Sequence, residues 1–206
     1  MVVKRRSSIL LAFLLTLVPA ACGDPGRDPD LFSAARSNGE SANEGFRRCD
    51  SYLKGWLDLA DPETGLIPRN TRDRYWNAQD AAADNYAFMV LTASFTDRPL
   101  FRGRMREMLD TETRLTSRLG SLPDTYDFGS RAFLEEEPNL DSVIFGSSEY
   151  VKDGLLPLAE WLGPSPWSER MLSILDGIWS QAPLETSYGR IVSDSVEVNG
   201  EMLQVL

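Results

Sequence analysis

Pairs of carboxylates four residues apart stand at three expected helix openings in this chain: Asp80 with Asp84, Glu149 with Asp153, and Glu197 with Glu201. That spacing puts both members of a pair on one face of a helix. Two carboxyl groups in one cleft can divide the work of glycoside cleavage. One stays protonated and gives its proton to the leaving oxygen, while the other, ionised, acts as nucleophile or activates water. Tyr75 and Trp76 precede the first pair with rings suited to stacking on a sugar, and Arg69 adds a cation. Each pair also falls where a helix is expected to open, and there acids have a second use. Asp80 is placed to complete a cap begun by Asn77, and the positive end of the helix dipole favours any first-turn acid. Both accounts stand for Asp80, Asp84, Glu149 and Asp153.

Other chemistries find less support. The chain has no histidine, and Cys22 and Cys49 are its only cysteines, too few and too far apart for a zinc site. A calcium site of carboxylates and carbonyls near Asp61 and Glu63 lacks a loop signature. There is no phosphate-binding glycine loop and no Gly-x-Ser-x-Gly elbow. No metal and no cofactor is therefore expected. The formal charge of −10 repels nucleic acid and leaves neutral glycans, peptides and small molecules as partners. Arg69, Arg72 and Arg74 would serve acidic sugars, or are surface charges of a solvated loop. Of the tryptophans, Trp56, Trp161, Trp167 and Trp179 lie on periodic apolar faces and are expected in the core. Trp76, at a loop-to-helix junction, is expected to face a ligand.

The elements that must carry these residues read as helices. Apolar spacing predicts a helix over 42–60, stopped by Asp61-Pro62, and a second opening at the cap residue Asn77. From Tyr86 to Phe95 this second helix is apolar nearly all round, as an inner helix would be. Residues 99–119 keep Phe101, Met105, Met108, Leu115 and Leu119 on one stripe, as an outer helix would. A helix over 148–162, bent or divided by Pro157, ends at Gly163-Pro164. Ser165 then caps another that begins at Pro166. Residues 191–198 suggest a short extended stretch, and Asn199-Gly200-Glu201 a further helix start. The expected class is all-α, with 43–206 as one helical domain, truncated at its C-terminus.

The N-terminus reads as an export signal. Lys4, Arg5 and Arg6 precede an apolar run from Ile9 to Val18 that is too short to span a bilayer, and Pro19, Ala20 and Ala21 supply a small-residue cleavage approach. Residues 1–21 are thus a signal peptide, and 22–42 an unpatterned flexible tether. Val18-Pro19-Ala20-Ala21-Cys22 resembles the lipobox of bacterial lipoproteins. The resemblance implies lipidation of Cys22 and a membrane-anchored protein of the periplasm or cell surface. Simple cleavage after Ala21 gives a soluble secreted protein instead.

The loop 61–69, the run Tyr75-Trp76-Asn77-Ala78-Gln79-Asp80, and the stretches 149–158 and 198–204 together resemble the six-hairpin glycosidase superfamily. The resemblance implies part of an (α/α)6 toroid. It also implies an exported carbohydrate-active protein, a glycoside hydrolase or, on the same fold, a polysaccharide lyase or epimerase. Its glycan would meet the ends of the inner helices, with Tyr75, Trp76 and Arg69 as binding residues. No family's catalytic signature is present. A non-catalytic surface lipoprotein that binds a glycan or a protein is the other reading.

Overall fold

A computed structural model describes residues 29–204. The expected signal peptide, Cys22 and the start of the expected tether lie outside the described residues. Backbone contacts divide the chain into Met1–Ser41 and Ala42–Leu206. Among the described residues there are six helices and seven short strands. The chain is mostly helical, in keeping with an all-α class, and no described helix is long and apolar enough to cross a membrane.

Helix α1 spans Pro29–Leu59. Residues 29–42 were expected as an unstructured tether, yet they are helical and, from Asp30 on, exposed. None of them is buried, so burial in a core is not what orders them. Once a helix is nucleated, extending it costs little, and Ala34, Ala35 and Arg36 favour the extension.

Within the second unit α1 is held through Leu53, which is wholly buried, and the partly buried Trp56 and Leu57. Helix α2 runs over 78–96, π-helical at Ala78–Tyr86 and α-helical at Ala87–Thr96. Asn77 caps it as expected, its side chain accepting from the Ala81 N–H at 2.9 Å. Helix α3 runs over 98–116 and includes a π turn at Phe101–Met105.

Helix α4 begins well before the expected residue 148. Asn139 caps it, and it continues over 140–162 as Leu140–Glu149, a π-helical turn Tyr150–Leu155, and Leu156–Leu162. The π turn lies just ahead of Pro157, where the missing N–H and the proline ring would disrupt regular α bonding. The helix widens there and does not break. Gly163, at φ +69°, ends it. A reciprocal Ser165–Ser168 capping box opens α5, Pro166–Gln181. Helix α6, Val196–Leu203, starts at a Ser195 cap, ahead of the expected Asn199.

Strands β1 (Tyr75–Trp76), β4 (Tyr126–Asp127) and β5 (Ala132–Phe133) form a three-stranded antiparallel sheet in the order β1-β4-β5. Strands β2 (Ser117–Leu119) and β3 (Leu122–Pro123) pair as a hairpin. So do β6 (Leu184–Thr186) and β7 (Gly189–Ile191), placing the extended stretch earlier than residues 191–198.

Helices α2 and α4 lie side by side and run in the same direction. Gln79 meets Gly146, Ala83 and Ala87 meet the position of Gly154, and Phe95 meets Trp161. Small residues make the approach close: a Cβ on Gly154 would stand 3.2 Å from the Ala83 Cα. Ala81, Ala82, Met89 and Val90 of α2 and Ile144, Tyr150 and Leu155 of α4 are all buried. The expectation that α2 is buried all round fails at Phe88 and Phe95, which are 53% and 52% exposed. Trp161 and Trp179, expected in the core, are exposed too, and Trp161 packs its ring on Phe95 at 5.3 Å. Trp167 is buried as expected and donates to the Tyr86 hydroxyl.

Candidate functional site

The close α2–α4 seam brings two of the carboxylate pairs together. Arg69, Tyr75, Asn77, Gln79, Asp80, Asp84, Thr125, Leu134 and Glu149 line one open concavity. Two of its walls come from α2 and α4. The others come from the loop before β1 and from the β4 and β5 flanks.

The loop 61–69 is rigid for local reasons. Asp61 Oδ1 accepts from the Thr64 N–H at 2.8 Å and the Thr64 hydroxyl at 2.9 Å, and Gly65 turns the chain at φ +74°. These bonds hold the Asp61 carboxyl below its ordinary range against the opposing effect of burial, which is the largest single influence; Arg131 helps. Arg131 also spans Asp61 and Glu63 at 3.1 and 2.8 Å, occupying the carboxylates considered for calcium.

Arg69 leaves this loop to donate to Asp80 Oδ2 at 3.0 Å and to the Tyr75 hydroxyl at 2.6 Å. Asp80 Oδ2 also accepts from Asn77 Nδ2 at 2.7 Å. Asp80 thus joins the cap through the Asn77 side chain, and its charge is matched by Arg69. Asn85 donates to the Asp80 carbonyl and accepts from the Tyr52 hydroxyl, tying α1 to this end of α2. Arg74 turns to the Leu59 carbonyl and the Phe128 ring, and Arg72 is exposed.

Trp76 does not serve as a sugar platform. It is 2% exposed and packs edge-on to Tyr150 at 6.4 Å. Pairing of β1 with β4 carries it into the core, while the alternation of the strand leaves Tyr75 half-buried at the concavity.

Glu149 and Asp153 also differ from expectation, because they do not sit at a helix opening. The cap is at Asn139, and both acids lie deep within α4, so first-turn dipole stabilisation does not account for them. Glu149 is half-buried. Burial pushes its carboxyl above the ordinary range; Glu201, Asp153 and Asp84 push the same way, and Lys152 opposes them. Asp84 is raised as well, by partial burial first and then by Asp80 and Asp153.

The third pair separates. Glu197 is exposed in the first turn of α6, whereas Glu201 bonds Lys152 of α4. Lys152 Nζ also lies 3.3 Å from Asp153 Oδ2. Carboxylate oxygens of Glu149, Asp153 and Glu201 fall within 4.8 Å of one another, and the cation among them is the ammonium of Lys152 itself. Sequence reading passed over Lys152. Its signal was a lone base three residues after Glu149 and next to Asp153.

The concavity therefore presents one carboxylate matched by a guanidinium, Asp80, together with two carboxyls that hold protons more tightly than usual, Asp84 of the same helix and Glu149 of α4. Environments that push neighbouring carboxyls apart are those that assign acid and base roles. Comparison of the chain with protein-family models, with curated protein sequences and with solved structures found no match to any of them.

Proposed function

We infer that this is an exported, carbohydrate-active protein that cleaves a glycan by carboxylate acid/base chemistry, held at the membrane by lipid on Cys22. One observation carries the reading: Asp80, Asp84 and Glu149 meet in a single open concavity with Arg69 and Tyr75. In this reading Glu149 is the proton donor and Asp80 the ionised partner. Two parallel inner helices, α2 and α4, with α3 and α5 each following one of them, support an α/α toroid as the architecture to which these hairpins belong.

Reducing-sugar release from a panel of neutral and acidic glycans tests the reading. Glu149→Gln is expected to lower turnover by about 10²- to 10⁴-fold with the fold intact, the usual contribution of a positioned acid. Asp80→Asn is expected to lower it comparably. Glycan binding with no turnover in the unaltered protein would instead establish the binding-only reading. That alternative draws on a specific feature, since Asp80 Oδ2 is already engaged by both Arg69 and Asn77. Neither binding nor turnover on any glycan would overturn both.

A further inference from the structure

Glu149, which lines the concavity, is also one of a cluster of three carboxyls. Glu149 and Asp153 come from α4 and Glu201 from α6, with oxygens within 4.8 Å of one another. Three carboxyls this close, partly out of water, compete for one positive charge, and the one it does not reach holds a proton more readily. Lys152 Nζ is bonded to Glu201 Oε1 and lies 3.3 Å from Asp153 Oδ2. No such contact joins Lys152 to Glu149. The ammonium is thus engaged by Glu201 and Asp153 and not by Glu149.

We propose that Lys152 is a positioning residue: by holding the Glu201 and Asp153 carboxylates beside Glu149 with its own ammonium engaged by them, it leaves Glu149, the member of the trio that lines the concavity, among like charges without a cation of its own. The device joins two elements, because Glu201 reaches Lys152 from α6 across 49 positions of sequence. The charged groups facing Glu149 are Asp84 from α2, Glu201 from α6, and Lys152 and Asp153 from its own helix, and Asp80 and Arg69 line the same concavity. Only Lys152 among those that act directly on Glu149 favours ionisation, and its ammonium is spent on the other two acids. The use of the proton rests on the hydrolase reading above; its location does not.

The test is a carboxyl-carbon NMR titration of the full chain carrying labelled glutamate and aspartate, with Glu149→Gln identifying the resonance of Glu149. Lys152→Met is expected to raise the Glu149 midpoint by about one pH unit, the scale of removing a close opposite charge. Lys152→Arg is expected to restore it to within a few tenths. Glu201→Gln is expected to move it downward, by removing a negative neighbour and freeing the ammonium. Opposite signs for Lys152→Met and Glu201→Gln separate an electrostatic role from a merely structural one, in which losing either partner has the same effect. The sign in either variant decides the matter even where the other does not fold. An unmoved midpoint, shifts of the same sign, or a retained proton that follows Glu201 or Asp153 would overturn the proposal. Failure here with turnover lost in Glu149→Gln leaves the hydrolase reading standing; success here with turnover retained removes that reading alone.

Discussion

Two clusters of opposite charge bridge helices in this molecule, and they are built differently. Glu112 of α3 and Arg170 of α5 are each 3% exposed in their side chains, joined through Nη2–Oε1 at 2.6 Å and Nε–Oε2 at 3.1 Å. Thr116 adds a hydrogen bond to Glu112 at 3.2 Å, and the Ser121 carbonyl accepts from Arg170 at 2.7 Å. Burial alone would make the guanidinium easier to deprotonate, and Glu112 more than reverses this. One charge meets one charge and the donors have acceptors. Around Lys152 the count is uneven, three carboxyls to one ammonium, and Asp153 keeps 49% of its side-chain surface in water. A matched, dry pair has one stable state and suits holding helices in place. An unmatched, half-wet group has a proton to give or take.

The sharpest way to break this comparison is to remove the cation from each cluster. Arg170→Met is expected to destabilise the fold by about 3–5 kcal/mol, because it strands a buried carboxylate. Lys152→Met is expected to cost less, about 1–2 kcal/mol, since Asp153 is half in water although Glu201 keeps only 11% of its side-chain surface there. Urea unfolding of both variants measures the two values side by side. Equal losses would mean that the Lys152 cluster is structural after all.

A smaller effect is expected from the seam that assembles the site. Gly154→Ala puts a Cβ 3.1 Å from the Tyr150 ring and 3.2 Å from the Ala83 backbone, and neither is the free end of a flexible side chain. About 1–3 kcal/mol of overpacking follows, with α4 pushed away from α2. Because Glu149 and Asp153 ride on α4, the same variant is expected to lower the Glu149 titration midpoint as Asp84 draws away. The Glu112–Arg170 pair, on α3 and α5, sits outside that seam. Unfolding experiments and the carboxyl titration report the two consequences separately.

What the sequence revealed followed the range of the interaction. Asn77, Gly163 and Ser165 act within a turn of themselves, and each caps or ends its helix as its neighbours implied. Asp80 and Asp84 were placed correctly because the cap fixes them. Glu149 was placed at a helix opening because the helix was read as starting at residue 148, whereas the cap is Asn139; a π turn that lets α4 run through Pro157 is invisible without its packing partner. Trp76 went to the core through a pairing with β4 some fifty residues away. The buried ion pair had a signal that went unread: Glu112 interrupts the stripe Met105, Met108, Leu115, and Arg170 interrupts Trp167, Ile174, Ile178. Opposite charges on two apolar stripes are a reason to expect that the stripes face one another.

The smallest effect concerns pH, and its sign separates the clusters again. Glu149 holds its proton more tightly in the folded chain than an ordinary glutamate does, chiefly through burial. Between its unfolded and folded midpoints the folded state binds more protons than the unfolded state, so stability falls as pH rises through that window. Below the unfolded midpoint the carboxyl is neutral in both states and its contribution is fully present. Above the folded midpoint that contribution is gone. Glu149→Gln cannot ionise and escapes the loss. Its stability relative to the unaltered protein is therefore expected to grow as pH rises above the ordinary glutamate range of about 4. Urea unfolding at a series of pH values reads the difference. A constant difference would mean that Glu149 ionises as readily folded as unfolded, and the contrast between a settled ion pair and a proton-holding cluster would lose its physical basis.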